Sequence, residues 1–205
     1  MLEDNTLQQG YDTKGHIPAN ENFFYRLATA WGEITKDMLG TREGEALAIA
    51  NRKIWNRWWY GRLHHKFLYI TQEMLDDYTE RLSELFHHIE ISGLDSEEEQ
   101  ALRRRMGSHP KAELLNFTNA RNTKNMVSNI TMNGIRFDNP LVLDGYIFLT
   151  SFLSKDSIFS GGVWGVNSKF CSGVDFSNSD FYKDAVFKGC DFSKKLYLQT
   201  QILNQ

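Results

Sequence analysis

The chain has 205 residues, of which 41% are hydrophobic, 24% charged and 13% aromatic, with 23 basic against 26 acidic side chains and a formal net charge of −3. That composition suits one large or two small globular units; it excludes collagen-like sequence, a strongly basic nucleic-acid coat and a highly acidic mimic of DNA. Two cysteines, Cys171 and Cys190, are too few for a disulfide framework, and a mean hydropathy of −0.47 leaves no room for multiple membrane spans.

Residues 1–20 read as a flexible N-terminus. Glu3, Asp4, Asp12 and Glu21 fall where a signal peptide needs an apolar core. The expected location is therefore cytoplasmic, with peripheral membrane attachment or export without a cleaved signal as alternatives. Residues 21–125 read as a helical domain. Phe24, Leu27, Trp31, Ile34 and Met38 recur at steps of three and four, which predicts one helical stripe stopped by Gly40. A second helix is predicted from near Gly44, running past Ile70, with Gly61 and Thr71 as places for a kink or break. Leu75, Tyr78, Leu82, Leu85 and Ile89 form a third stripe. Asp95 or Ser96 followed by Glu98 or Glu99 has the spacing of a capping box. It predicts a short helix ending near Met106-Gly107, and Lys111 to Ala120 reads as one more. The stripes suit either an intramolecular bundle or a coiled-coil partner.

One stretch of this half invites a sharper reading. Residues 46–72 hold Arg52, Lys53, Arg57, Arg62 and Lys66 without an acid, interleaved with Trp55, Trp58, Trp59, Tyr60 and Phe67. Basic aromatic helices can lie on anionic membranes, stack against nucleic acid or bind partner grooves, and Arg52, Lys53, Trp55, Arg57, Trp58, Trp59, Arg62 and Lys66 are the candidate partner- or membrane-binding residues. The competing reading packs the tryptophans inside and turns the cations toward the acids of residues 73–99. His64-His65 and His87-His88 could chelate a metal only with one histidine from each pair, because adjacent helical residues point about 100° apart; no metal site is assigned. No phosphate loop, dinucleotide fingerprint or nucleophile elbow is present, and Gly161 to Gly165 reads as small residues in a tight coil. Catalytic and cofactor residues are none, and the chain is expected not to be an enzyme.

From Met132 the period changes to five. Met132, Phe137, Val142, Ile147 and Phe152 are five apart, and Phe159, Trp164, Phe170, Phe176, Phe181, Phe187 and Phe192 continue at steps of five to seven. Neither a helix nor a strand has that beat. Val174-Asp-Phe-Ser-Asn178, Ser179-Asp-Phe-Tyr-Lys183, Ala185-Val-Phe-Lys-Gly189 and Cys190-Asp-Phe-Ser-Lys194 resemble units of the pentapeptide-repeat family. The resemblance covers residues 130–197. It implies a mixed fold, with the helical domain followed at 126–197 by a short right-handed, four-sided parallel β-helix of about three turns. Residues 198–205 would be a cap or tail. It also implies a core of Phe152, Phe159, Trp164, Phe170, Phe176, Phe181, Phe187 and Phe192, with a small residue two places before each centre except Phe176, which follows the larger Val174. Asn167, Gly173, Asp184 and Lys155-Asp156 then read as insertions at corners, and Asp175, Asp180 and Asp191 as a ladder up one outer face.

Some members of that family, which is largely bacterial, bind DNA gyrase by imitating duplex DNA. From residue 126 onward this chain has seven basic and seven acidic residues, so the topoisomerase reading ranks below a non-enzymatic interaction or assembly scaffold. The expected partner is a protein, a second copy included, with nucleic acid disfavoured. Cofactors are none. Peripheral membrane association is the remaining alternative.

Overall fold

A computed structural model describes residues 15–66, 95–112, 129–193 and 196–197, with α2 side chains through Trp59. The third predicted stripe, both histidine pairs, Phe67 and nearly all of the helix predicted at 111–120 lie outside the described residues or side chains. Strand β1 (Ile17–Pro18) leads into helix α1 (Phe23–Ala28), and helix α2 (Arg42–Lys66) and helix α3 (Ser96–Met106) follow. A parallel β-solenoid of about three turns then carries β2 (Asn129–Thr131), β3 (Ile135–Phe137), β4 (Leu141–Val142), β5 (Ile147–Phe148), β6 (Ser151–Leu153), β7 (Ile158–Phe159), β8 (Val163–Trp164), β9 (Lys169–Phe170), β10 (Val174–Asp175), β11 (Asp180–Phe181), β12 (Ala185–Val186), β13 (Asp191–Phe192) and β14 (Leu196–Tyr197). Helices followed by a parallel solenoid is the order the sequence predicts.

The helices differ from the prediction in two places. Asn22 starts α1 by accepting from the N–H groups of Phe24 and Tyr25, but α1 stops at Ala28, well short of Gly40. Thr29 leaves helical geometry and turns its hydroxyl back onto the Tyr25 carbonyl at 2.8 Å. Asn51 of α2 then holds the departing chain, accepting from Trp31 N–H at 2.8 Å and donating to the Gly32 carbonyl at 2.9 Å. A tertiary contact thus overrides the local stripe. Helix α2 also runs unbroken through Gly61, where the sequence suggests a kink or break, whereas α3 begins with the expected capping box of Asp95 and Glu98 and ends at Gly107 with φ 52°.

The solenoid has four faces, stacked as β2–β6–β10–β14, β3–β7–β11, β4–β8–β12 and β5–β9–β13. Ile130, Phe152, Val174 and Leu196 are in register on the first face, and Phe137, Phe159 and Phe181 on the second. Partners lie 22 residues apart, so a turn takes 22 residues where four five-residue units would take 20. Consecutive faces are therefore spaced alternately by five and six. The underlying unit is eleven residues, as the corners show. Gly134, Gly145, Asp156, Asn167, Asn178 and Gly189 all have positive φ and recur every eleven positions. Gly, Asn and Asp are the residues that tolerate this geometry. The corners at Asp156 and Asn167, read as insertions, belong to the regular repeat.

This longer unit corrects the predicted register. Phe137, Phe148, Phe159, Phe170, Phe181 and Phe192 occupy one equivalent position and form two ring columns. Centroids within them are 4.6–5.0 Å apart and the rings 3–7° from parallel. The interior residues on two faces are Leu143 and Phe148, where the five-residue beat selected Val142 and Ile147. Phe152 points inward beside Ser154, which holds the position assigned to Phe152. Trp164 points outward, and Gly165 takes its interior place. A Cβ at Gly165 would lie 2.9 Å from the ring of Phe187 one turn above, so the missing side chain leaves room for that ring. Asp175, Asp180 and Asp191 fall on three different faces and make no ladder, since residues stack only at 22-residue intervals.

The small interior residues are polar for a reason. Ser157, Ser168 and Ser179 are buried, where an unpaired hydroxyl is costly. Each donates to a carbonyl 25 residues earlier, those of Met132, Leu143 and Ser154, at 3.0, 2.5 and 2.7 Å. Cys190 makes the same contact with the Gly165 carbonyl.

Candidate interaction surface

The first turn of the solenoid is sealed by the N-terminal elements, and one hydrophobic core runs through both. Strand β1 pairs beneath β3, with Ile17 opposite Ile135, and Asn22 donates to the Thr131 carbonyl at 3.0 Å. Beneath β5, two α2 side chains do the work of a missing strand. Asn56 accepts from Ile147 N–H at 2.9 Å and donates to the Gly145 carbonyl at 3.1 Å, while Trp55 Nε1 donates to the Ile147 carbonyl at 3.0 Å. Tyr146 stands where later repeats have serine or cysteine, and its hydroxyl reaches out of the shaft to the Ala28 carbonyl at 2.7 Å. Burial pushes that phenol well above the usual tyrosine range. Tyr25 is raised likewise, by burial and by Glu33 beside it.

The basic aromatic stretch is divided by this arrangement. Trp55, Trp58 and Trp59 are 0, 0 and 4% exposed, packed on one another, with Trp55 also against Tyr146 and Phe148 and Trp58 against Phe24. A bilayer or partner meeting α2 does not touch them, so the surface reading of these three residues is withdrawn. Arg57 is buried on Glu98, and Lys53 reaches the other oxygen of the same carboxylate at 3.0 Å. The competing reading, in which these cations answer acids of the 73–99 stretch, holds at Glu98. Arg52 is half-buried near Gly145. Arg62 and Lys66 belong to α2, with side chains outside the described set. No joint basic aromatic surface forms among the described side chains.

The other end of the solenoid differs. Strands β11, β12, β13 and β14 are the outermost in their sheets, with no further strand of the described residues above them. Phe181, Phe187, Cys190, Phe192 and Leu196 are only partly buried, whereas Phe137, Phe148, Phe159 and Phe170 below them are 0–1% exposed. Ala185 is the telling position. It stacks on Val163 and Leu141, both fully interior, and so faces the shaft, yet it is exposed. Solvent therefore enters the top of the shaft. Around that mouth stand the exposed charges Lys183, Asp184, Lys188 and Asp191, with Tyr197 52% exposed at one side.

On the outer walls, Lys155 pairs with Asp175 at 2.8 Å. Burial acts to raise the Asp175 pKa, but hydrogen bonds from Lys155 and Ser177 outweigh it and hold the carboxyl below its usual range. Cys171 and Cys190 are free thiols, and burial pushes both above the ordinary thiol value. The thiolate that nucleophilic chemistry requires is disfavoured at both. Among the described residues, no group of three or more His, Cys, Asp or Glu is placed to share a metal ion, and no helix is long and apolar enough to cross a membrane.

Sequence reasoning missed Asn51, Asn56 and Tyr146. Asparagines interrupting an otherwise apolar helical face were the available signal for the first two. Comparisons of the chain with family models, with curated proteins and with solved structures each returned no match.

Proposed function

We propose that the protein is a non-enzymatic interaction scaffold that meets a protein partner at the C-terminal turn of its solenoid. The contrast between the ends supports this reading, and the exposed, shaft-facing Ala185 carries it. A β-solenoid end presents unpaired backbone and apolar side chains, which natural proteins cover or use. Here the N-terminal end is covered by α1, α2 and β1, and solvent reaches the other. The partner to test first is a second copy of the chain, whose own phenylalanine columns would extend these. Kinship with pentapeptide-repeat proteins is part of the proposal at the level of four-sided stacking; the eleven-residue unit departs from that family's five.

The test is affinity capture from the native host together with light scattering over a concentration series. Ala185→Asp places a carboxylate at the mouth of the shaft, at an exposed position, and is expected to abolish partner capture or self-association. Glu97→Lys, at an exposed position of α3, is expected to change neither. Capture and mass unchanged by Ala185→Asp would overturn the proposal.

A further inference from the structure

The four walls of the solenoid differ in what their outward strand positions carry. Arg136 and Asp180 stand on the β3–β7–β11 wall, Lys169 and Asp191 on the β5–β9–β13 wall, and Asp175 on the β2–β6–β10–β14 wall. On the β4–β8–β12 wall the outward positions are Val142, Trp164 and Val186, in register one above another and each half-buried. The solvated face of a sheet is normally polar, so an uncharged apolar column on the outside marks a surface with a partner.

The next column, at the corner after this wall, is Asp144, Val166 and Lys188, again at 22-residue intervals. Asp144 is fixed in place by accepting from the Val166 N–H at 2.7 Å. Burial raises its pKa against the pull of that bond and of Arg52, so this carboxylate is short of positive charge. Lys188, two turns above, is exposed.

From the first turn to the last, the two columns read valine, tryptophan, valine and acid, valine, base. That order is its own complement under a two-fold axis that lies between two such walls and runs along the strands. The rotation keeps each column on itself and lays the first turn of one copy on the third turn of the other. Val142 then meets Val186, Trp164 meets Trp164, and Asp144 of each copy meets Lys188 of the other.

We propose that the β4–β8–β12 wall binds a second copy of this chain in that two-fold arrangement, with Trp164 at the centre and two Asp144–Lys188 ion pairs at the ends. This inference goes beyond the reading of the mouth and does not rest on it, since Ala185 faces into the shaft and these columns face out of it.

Sedimentation equilibrium of the full chain, up to about 0.1 mM, tests it, because a wall of three short strands lies at the small end of stable interfaces. A mass of two chains is expected. Lys188→Asp, at an exposed position, sets like charges together twice and is expected to weaken dimerisation about tenfold, with far-ultraviolet dichroism unchanged. Adding Asp144→Asn relieves that repulsion and is expected to recover about threefold. Asparagine can keep the bond to the turn above, as Asn133 does with the Lys155 N–H at 2.9 Å. Asp144 lies two turns below the mouth, so recovery through it separates the wall from end-to-end association. A dimer lost in Ala185→Asp and kept in Lys188→Asp belongs to the mouth and would overturn this proposal. So would the mass of one chain throughout, unchanged affinity in Lys188→Asp, or no recovery on adding Asp144→Asn.

Discussion

Beneath β5, the N–H of Ile147 and the carbonyls of Gly145 and Ile147 would be bare but for Asn56 and Trp55; above β11, β12 and β13, no strand of the described residues stands. The same repeat therefore ends in two ways within one molecule. At the covered end, side chains of a single helix copy the hydrogen bonds of a missing strand, and large aromatics plug the shaft. At the other end, residues whose equivalents are buried one turn below become half-exposed. The comparison teaches that a solenoid's stability is local, since each turn depends on what lies above and below it. The two ends should then respond differently to the same kind of damage.

The largest effect is expected at the covered end. Trp55→Ala removes a ring touching Tyr146, Phe148, Trp58 and Trp59 and should cost about 3–5 kcal/mol. Because the helices and the solenoid share one core, far-ultraviolet dichroism and tryptophan fluorescence should report a single, shifted denaturant transition. Two separate transitions would break the idea of a shared core. Next comes a matched pair within one ring column. Phe159→Ala, at a fully buried ring, should cost about 3–5 kcal/mol, and Phe181→Ala, one turn higher and partly exposed, roughly half as much; equal costs would erase the gradient.

Asn56→Leu is the sharper test of strand imitation. It keeps the side chain's approximate size but leaves the Ile147 N–H and the Gly145 carbonyl unpaired, a loss of about 2–4 kcal/mol, again read from denaturant midpoints. The smallest effect is in acid. At Glu33, burial acts to raise the pKa, but hydrogen bonds from Arg105 and Asn139 outweigh it and hold the carboxyl below its usual value. A depressed folded-state pKa gives stability that is full above the unfolded value and lost as pH falls through the folded one. Thermal midpoints should therefore hold from pH 7 to roughly 5.5 and fall below roughly 4.5. Glu33→Gln should flatten part of that fall at the covered end. Asp175, also depressed, contributes with the same sign from the solenoid wall.

Much of this was legible in the residues. The change of period after Met132 announced a solenoid, and Asp95 with Glu98 announced α3. The turn length was harder to read. A five-residue beat runs without a break from Met132 to Phe152 and then drifts, whereas every eleventh residue from Phe137 to Phe192 is phenylalanine. The positive-φ corners, shared by Gly, Asp and Asn, hid the regularity because three residue types meet one conformational demand. The tryptophans of α2 misled for a different reason. A basic amphipathic stripe and a buried cap look alike in one dimension, and only the placement of Glu98 and β5 distinguishes them. The early stop of α1 depends on Asn51, twenty residues from Trp31 in sequence, and no local pattern carries that information.

Residue-resolved native-state hydrogen exchange tests the central claim most directly. In the middle turn, the amides of Lys169 and Cys171 donate to the Tyr146 and Phe148 carbonyls; in the last turn, those of Asp191 and Ser193 donate to Ser168 and Phe170. These are equivalent bonds on one face, so intrinsic geometry is matched. A solenoid covered at its start and accessible at its end predicts protection at Lys169 and Cys171 about a hundredfold or more above that at Asp191 and Ser193. Equal protection in the two turns, or greater protection in the last, would contradict the account.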